Sequence, residues 1–179
     1  EEVLCRFGMT FQFGALFDSL PIWQNITFRL KQSQHLSRQQ ARDIAAEIVV
    51  QLGLEARVID QYPAELSGGM QKRVALARAI VLKPKVLVAD EPFAALDPSI
   101  RSQTVNLILQ LQQELGLAFV FISHNLGIVR HIADRIIVME NGEIVEEGKT
   151  ETIFRWPQHI RTKKLVTAYQ SLVPQQTLR

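Results

Sequence analysis

Two adjacent carboxylates, Asp90 and Glu91, follow the apolar run Val86–Ala89 and precede Pro92. A run of this kind predicts a strand at the centre of a parallel sheet, buried on both faces. Ligands of such sheets bind just beyond the carboxyl ends of the strands, which is where the two acids would lie. They could bind a cation, activate a water molecule or cap a following helix, and the pair alone does not decide among these roles.

Three further segments contain candidate functional residues. The segment 66–71 reads LSGGMQ and leads into a predicted helix, so its glycines permit close backbone approach and the helix N-terminus offers N–H groups to an anion. A simple glycine turn is the alternative. Gln12 and His124 each follow a predicted strand, and the alternatives there are a capping amide and a structural histidine.

The elements that would position these side chains alternate along the chain. Strands are predicted at 7–11, 86–89 and 118–122, and helices at 36–52, 71–82 and about 99–115, with a short helix after His124. Residues 13–26 are predicted to form a loop with scattered apolar side chains. Alternating strands and helices with short connections predict an α/β fold with a mainly parallel sheet.

Turn and cap residues bound several of these elements. Ser37 is a predicted N-cap and Gly53 a stop for the helix at 36–52, whose predicted apolar face comprises Ile44, Ile48, Val49 and Leu52. Gly116 ends the helix near 99–115. Asn141–Gly142 lies between two strand-like runs, 135–139 and 143–147, and predicts a hairpin. The tail from Lys149 is predicted to be partly helical.

Composition limits the function classes. The 179 residues are 47% hydrophobic and 21% charged, as expected for a globular domain, and the net charge of +2 does not suggest a nucleic-acid partner. Cys5 is the only cysteine, which excludes an internal disulfide and is typical of a reducing compartment. No signal peptide or apolar run of about 20 residues is present, so we expect any membrane association to depend on a partner.

Taken in order, Gln12, LSGGMQ at 66–71, Asp90–Glu91, the segment Ala95–Asp97 and Ser123–His124 strongly resemble the motifs of the ATP-binding subunit of ABC transporters. The resemblance implies an α/β P-loop NTPase fold with a mainly parallel core sheet and a helical signature subdomain. It also implies ATP and Mg²⁺ as cofactors, a second ATPase subunit as a homo- or heterodimer partner, and transmembrane permease subunits. The implied location is the cytoplasmic face of the inner membrane.

The resemblance assigns catalytic and metal-binding roles to four residues. Asp90 would hold Mg²⁺ through water, and Glu91 would be the general base for the attacking water. His124 would contact the γ-phosphate as the switch histidine. Gln12 would sense the γ-phosphate and Mg²⁺ and face the membrane subunit.

Other residues are assigned to the dimer interface. Ser67, Gly68 and Gly69, followed by Gln71, would form the signature that closes on the γ-phosphate of ATP held by the opposite subunit. Asp97 would cross the interface in the D-loop. The implied organisation is a core strand with the Q-loop, a helical subdomain, a catalytic core and a tail, at 1–30, 31–82, 83–148 and 149–179.

The family's phosphate loop, G-x-x-x-x-G-K-[ST], does not occur in the sequence. In the family it precedes the Q-loop, so we expect this chain to be an N-terminally truncated piece that lacks the phosphate loop and first core strand. Such a piece should bind Mg-ATP weakly and be inactive alone. A degenerate regulatory subunit that completes a partner's site is the alternative.

The transported substrate is left open by two different likenesses. The segments 8–30 and 66–80 resemble ATPases of Mla-type phospholipid importers, whereas the chain from Pro84 onward resembles those of dipeptide, oligopeptide and nickel importers. Asn125 follows His124 where the family usually has Asp, a departure that does not by itself indicate inactivity. A soluble ABC-type ATPase without a membrane partner is the alternative function.

Overall fold

The three predicted strands form one parallel sheet in the computed structural model, in the order β1 (Phe7–Thr10), β2 (Val86–Asp90) and β3 (Ala118–Ile122). The structure describes residues 6–11, 14–94 and 96–172. The chain forms two compact units, Glu1–Ile122 and Ser123–Arg179, and the sheet belongs to the first. As predicted, β2 is the central strand.

One face of this sheet is buried and the other is more open. Leu87 and Ala89 of β2 are buried, whereas Val86 and Val88 are only partly buried, so the expected burial on both faces is wrong for the described residues. The packing is closest at Gly8 of β1, where a Cβ atom would lie 2.6 Å from the carbonyl oxygen of Ala79. Glycine therefore allows helix and strand to approach each other at this point.

Helices make up most of the rest of the first unit. They are α1 (Ile22–Ser33), α2 (Arg38–Gln51), α3 (Gly68–Ile80) and α4 (Pro98–Leu115), with two short 3-10 helices at Ala56–Asp60 and Pro63–Glu65. The predicted loop at 13–26 is thus partly wrong, because α1 begins at Ile22. Its buried residues Ile22, Ile26 and Leu30 recur every four positions, a helical spacing that the sequence already contained.

Predicted caps bound α2 and α4. Ser37 and Gln40 form a capping box at the start of α2, and Gly53 (φ +70°) follows its end. Gly116 takes the left-handed conformation after α4. The buried face of α2 differs from the prediction: Ala41, Ala45 and Val49 are buried, while Ile44 and Ile48 are only partly buried. Since α2 packs on α1 and on other helices, the small buried side chains of Ala41 and Ala45 allow its neighbours to approach closely.

The second unit contains α5 (Leu126–Ile132), the hairpin β4 (Arg135–Glu140) and β5 (Glu143–Lys149), then α6 (Thr150–Arg155) and α7 (Ile160–Leu172). The hairpin is antiparallel as predicted, and Asn141 and Gly142 both have positive φ, as a tight hairpin turn requires. The small hydrophobic core of the second unit contains Ile136, Val138, Ile153, Phe154 and Val166. Among the described helices, none has the length and apolar character needed to cross a membrane.

Candidate active site

The carboxylate pair lies at the carboxyl end of the central strand. Asp90 is the last residue of β2 and pairs in register with Ile122 of β3. Glu91 turns the chain away from the sheet with φ +46°, while its N–H donates to the carbonyl oxygen of Ile122 at 2.9 Å. A left-handed conformation costs a non-glycine residue roughly 1–2 kcal/mol, so this turn must be held by its surroundings.

Two cationic side chains hold the loop that follows Glu91. Lys72 of α3 donates from Nζ to the carbonyl oxygens of Pro92, at 3.2 Å, and Ala94. Arg101 of α4 donates from Nη2 to the carbonyl oxygen of Leu96 at 2.9 Å. Helices on either side of this loop therefore bind its backbone.

Burial lowers the pKa of Lys72, while the charge of Glu91 acts in the opposite direction. The ammonium group is thus partly desolvated beside a carboxylate. A cavity of about 30 Å³ lies nearby, lined by Lys72, Thr10 and Thr104 together with apolar residues from the sheet, from α3 and α4 and from the adjoining loops. Its volume is that of about one water molecule, so it is no nucleotide pocket.

The LSGGM segment is presented at the start of α3. Ser67 is the N-cap, and its Oγ accepts a hydrogen bond from the N–H of Met70 at 3.3 Å. Ser67 and Gly68 are exposed. A Cβ on Gly68 would meet nothing within 4 Å, whereas one on Gly69 would lie 3.0 Å from the end of the Ile100 side chain. The neighbours of Gly68 within the chain therefore leave room for a side chain.

Gln71 lies one turn further along the same helix and has a structural contact. Its Nε2 donates to the carbonyl oxygens of Pro63 at 2.9 Å and Leu66 at 3.2 Å. The amide thus fixes the connection that leads into the LSGGM segment. Its assignment to nucleotide binding stays a prediction.

Gln12 lies outside the described residues, but the segment after it is well fixed. Arg78 of α3 donates from Nη2 to the carbonyl oxygen of Gly14 at 2.7 Å and from Nη1 to that of Ala15 at 2.8 Å. Both residues have positive φ. The buried side chain of Asn25 binds the backbone of Phe17 and Leu20 from α1. Two helices therefore hold residues 14–20.

Asp97 and His124 are exposed in the structure. Asp97 is the N-cap residue of α4, but its side chain makes no capping hydrogen bond. His124 belongs to the second unit, just before α5. Asn125 caps that helix, with Oδ1 accepting from the N–H of Ile128 at 3.2 Å. Asn and Asp cap helices about equally well, so the departure from the family preserves this local function.

The carboxylate pair suits a hard cation. Mg²⁺ prefers oxygen ligands and is usually bound by one or two carboxylates together with water and phosphate oxygens. Asp90 and Glu91 provide such carboxylates at the carboxyl end of β2, where both residues are only partly buried. Among the described residues, no group of three or more His, Cys, Asp or Glu side chains could hold a metal ion.

Sequence reasoning missed the residues that brace these segments. Lys72 and Arg78 bind backbone carbonyls far away in the chain, whereas Arg101 and Asn25 each bind a carbonyl five residues before them. The helical positions of the three cations give one signal, because a cation in a helix face directed at the core needs an acceptor there. The identity of the acceptor depends on the fold.

Comparison with known proteins identifies relatives. A family model described as ABC transporter matches residues 2–94. The chain is similar to the dipeptide transport ATP-binding protein DppF of Haemophilus influenzae, with 48% identity over 78% of this chain and 42% of the relative. It is also similar to the protein of the same name from Escherichia coli, with 43% identity over 90% of this chain and 48% of the relative. The chain thus spans less than half the length of these two relatives.

A solved structure resembles the fold. The ATP-binding cassette MJ0796, determined as a dimer in a post-hydrolysis state bound to ADP and Pi, superposes with a TM-score of 0.72 and 32% identity. The match covers 81% of this chain and 63% of that protein. It confirms the predicted α/β fold class.

Proposed function

Because the chain belongs to the ABC transporter family, whose model matches residues 2–94, we propose that it is the catalytic part of an ATP-hydrolysing subunit that drives peptide transport. The family membership confirms the resemblance drawn from the motifs. The observation that carries the proposal is the pair Asp90–Glu91 at the carboxyl end of a central parallel strand, followed by a loop that two helices hold. Catalysis of phosphoryl transfer consists mainly of positioning and charge stabilisation, which carboxylates held at the end of a strand can supply.

Within this proposal the two carboxylates have different roles. Asp90 would hold Mg²⁺, which when bound neutralises phosphate charge. Glu91 would accept the proton of the attacking water, because it lies one residue beyond the metal-binding carboxylate and the turn at φ +46° directs the chain out of the sheet. Gln12 and His124 are proposed to contact the γ-phosphate, and Gln12 also the metal.

We propose that the site is completed by a second subunit. Ser67, Gly68 and Gly69 would bind the nucleotide held by that subunit, with Gln71 supporting them and Asp97 at the same interface. The exposure of Ser67, Gly68 and Asp97 supports this arrangement, because groups that act on a partner must be accessible. The similar structure MJ0796 was determined as a dimer.

Peptides are the substrate class that the relatives favour. The alignment with the Escherichia coli dipeptide transport protein covers 90% of this chain, so the similarity cannot be limited to the part from Pro84 onward. We infer that a membrane permease binds the subunit and places it at the cytoplasmic face of the membrane.

The test of the enzymatic role uses a version of the protein that includes a phosphate loop, called full-length below. Glu91→Gln should retain ATP binding, accumulate a closed dimer on size-exclusion chromatography and lose about 10²–10⁴-fold in turnover, the usual contribution of a general base. Glu47→Gln, which neutralises an exposed carboxylate on α2, is the matched control. Undiminished steady-state hydrolysis by Glu91→Gln would remove Glu91 from this role.

A second experiment tests the transport role. The full-length protein should copurify with its permease, and ATP hydrolysis in proteoliposomes should rise when peptide is supplied. Stimulation by phospholipid rather than peptide would overturn the substrate assignment. Hydrolysis by a protein that never associates with membranes would favour the soluble ATPase instead.

A further inference from the structure

Lys72 joins two segments that are separate in the sequence. It lies on α3, five residues after Ser67, and its Nζ contacts the carbonyl oxygens of Pro92 and Ala94. Those carbonyls belong to the loop that begins at Glu91. A single side chain therefore connects the helix of the LSGGM segment to the loop of the general base.

The loop needs such a contact because its first residue is strained. Glu91 has φ +46°, and the N–H of Ala94 donates back to the Glu91 carbonyl oxygen at 3.1 Å, closing a tight turn. Strained conformations persist only where the surrounding structure holds them. Lys72 binds inside this turn and at its end, whereas the N–H of Glu91 itself is held by Ile122 of β3.

The contacts of Lys72 have the properties expected of a side chain that holds a loop in place. Lys72 is partly buried, and burial lowers its pKa while the charge of Glu91 acts to raise it. Hydrogen bonds from a charged donor are stronger than neutral ones. The lysine thus combines two backbone contacts with an opposite charge near the carboxylate.

From this geometry we propose that Lys72 is a positioning residue for Glu91, holding the 91–94 turn so that the carboxylate stays where it can take a proton from water. The proposal rests on the proposed ATPase function. It assigns Lys72 to the site of its own subunit, although the helix that carries it starts at the signature serine that is proposed to act on the partner's nucleotide.

The first test measures the turn without nucleotide. In residues 1–179, Lys72→Met should speed amide hydrogen exchange at Ala94, whose N–H closes the turn. Arg73→Met is the matched control, because Arg73 is the next residue of α3 and also donates to two backbone carbonyls, those of Leu52 and Gly53, at 3.2 Å. That variant should leave exchange at Ala94 unchanged. Equal exchange in wild type and Lys72→Met would overturn the proposal.

The second test separates positioning from binding in the full-length protein. Lys72→Met should lower kcat about 10- to 100-fold, as expected for a misplaced catalytic group, with KM for ATP nearly unchanged. Lys72→Arg retains a charged donor and should recover much of the loss. A higher KM for ATP with kcat preserved would contradict the proposal. Should Lys72→Met not fold, Lys72→Gln replaces it.

The third test asks which site Lys72 serves. In a heterodimer with one Glu91→Gln subunit, only the other subunit's Glu91 can act. Lys72→Met on the subunit with intact Glu91 should lower turnover, whereas on the Glu91→Gln subunit it should not. The reverse pattern would mean that Lys72 acts through the signature. If wild type hydrolyses no ATP, the proposed function fails, and amide exchange alone decides whether Lys72 holds the turn.

Discussion

Asn25 offers a sharp test of how the segment after Gln12 is held. Its side chain is fully buried in α1, where Oδ1 accepts from the N–H of Phe17 at 2.7 Å. Its Nδ2 donates to the carbonyl oxygens of Leu20 at 2.8 Å and Phe17 at 3.0 Å. We predict that Asn25→Ala strongly destabilises the first unit, because it leaves these backbone groups without their partner.

The expected magnitude follows from the number of bonds. Each hydrogen bond contributes about 0.5–1.5 kcal/mol net, and a buried group left unpaired costs about 1–3 kcal/mol. Three good bonds therefore predict a loss of about 3 kcal/mol in the free energy of unfolding. With an m-value of about 2 kcal/mol per molar urea, the unfolding midpoint should fall by about 1.5 M.

Tryptophan fluorescence during urea unfolding is a suitable assay. Trp23, on the same helix as Asn25, is 3% exposed, whereas Trp156 of the second unit is 70% exposed, so the change in emission reports mainly on α1. Thr27→Val is the matched control. Thr27 is equally buried, but its hydroxyl makes one bond, to the carbonyl oxygen of Trp23 at 2.8 Å.

The control should lose about 1 kcal/mol or less, since a nearly isosteric side chain replaces one that made a single bond. A shift for Asn25→Ala no larger than that for Thr27→Val would refute the reasoning. Asn25→Asp adds a second check: it keeps the acceptor but directs a carboxylate at the carbonyls of Phe17 and Leu20, so it should not be more stable than Asn25→Ala at pH 7.

Three other predictions concern separate features. A heterodimer of full-length Ser67→Arg and Glu91→Gln subunits should keep one working site and hydrolyse ATP, whereas activity as low as in either mutant homodimer would contradict action of Ser67 in trans. Desolvation acts to raise the pKa of Glu146, but hydrogen bonds, including two from backbone N–H groups just before α7, hold it below the ordinary value. Its contribution is therefore present above the unfolded pKa and lost as pH falls through the native pKa, so the urea midpoint should depend less on pH between 7 and about 3 in Glu146→Gln. Ser37→Ala should cost about 1 kcal/mol in urea unfolding, and no change would mean that the capping box is unimportant.

Local patterns in the sequence were sufficient for several elements. The sequence correctly predicted a strand before Asp90, the Ser37 cap and the Asn141–Gly142 turn. Each of these features depends on neighbouring residues alone. The helix α1 was missed although its apolar spacing was helical, because residues 13–26 were interpreted together as a loop with scattered apolar side chains. Asn25 in that helix has its partners in the preceding loop, which helical periodicity does not reveal.

The order of the motifs identified the family, and the resemblance predicted the roles of Asp90, Glu91 and Ser67, because residue type and spacing can be seen in the sequence itself. Only the tertiary structure showed how the residues are held. Lys72 reaches Pro92 and Ala94 across twenty residues of sequence, and Arg78 reaches Gly14 across more than sixty. The physical reason is that a buried cation must find an acceptor, and folding alone determines which distant carbonyl meets it.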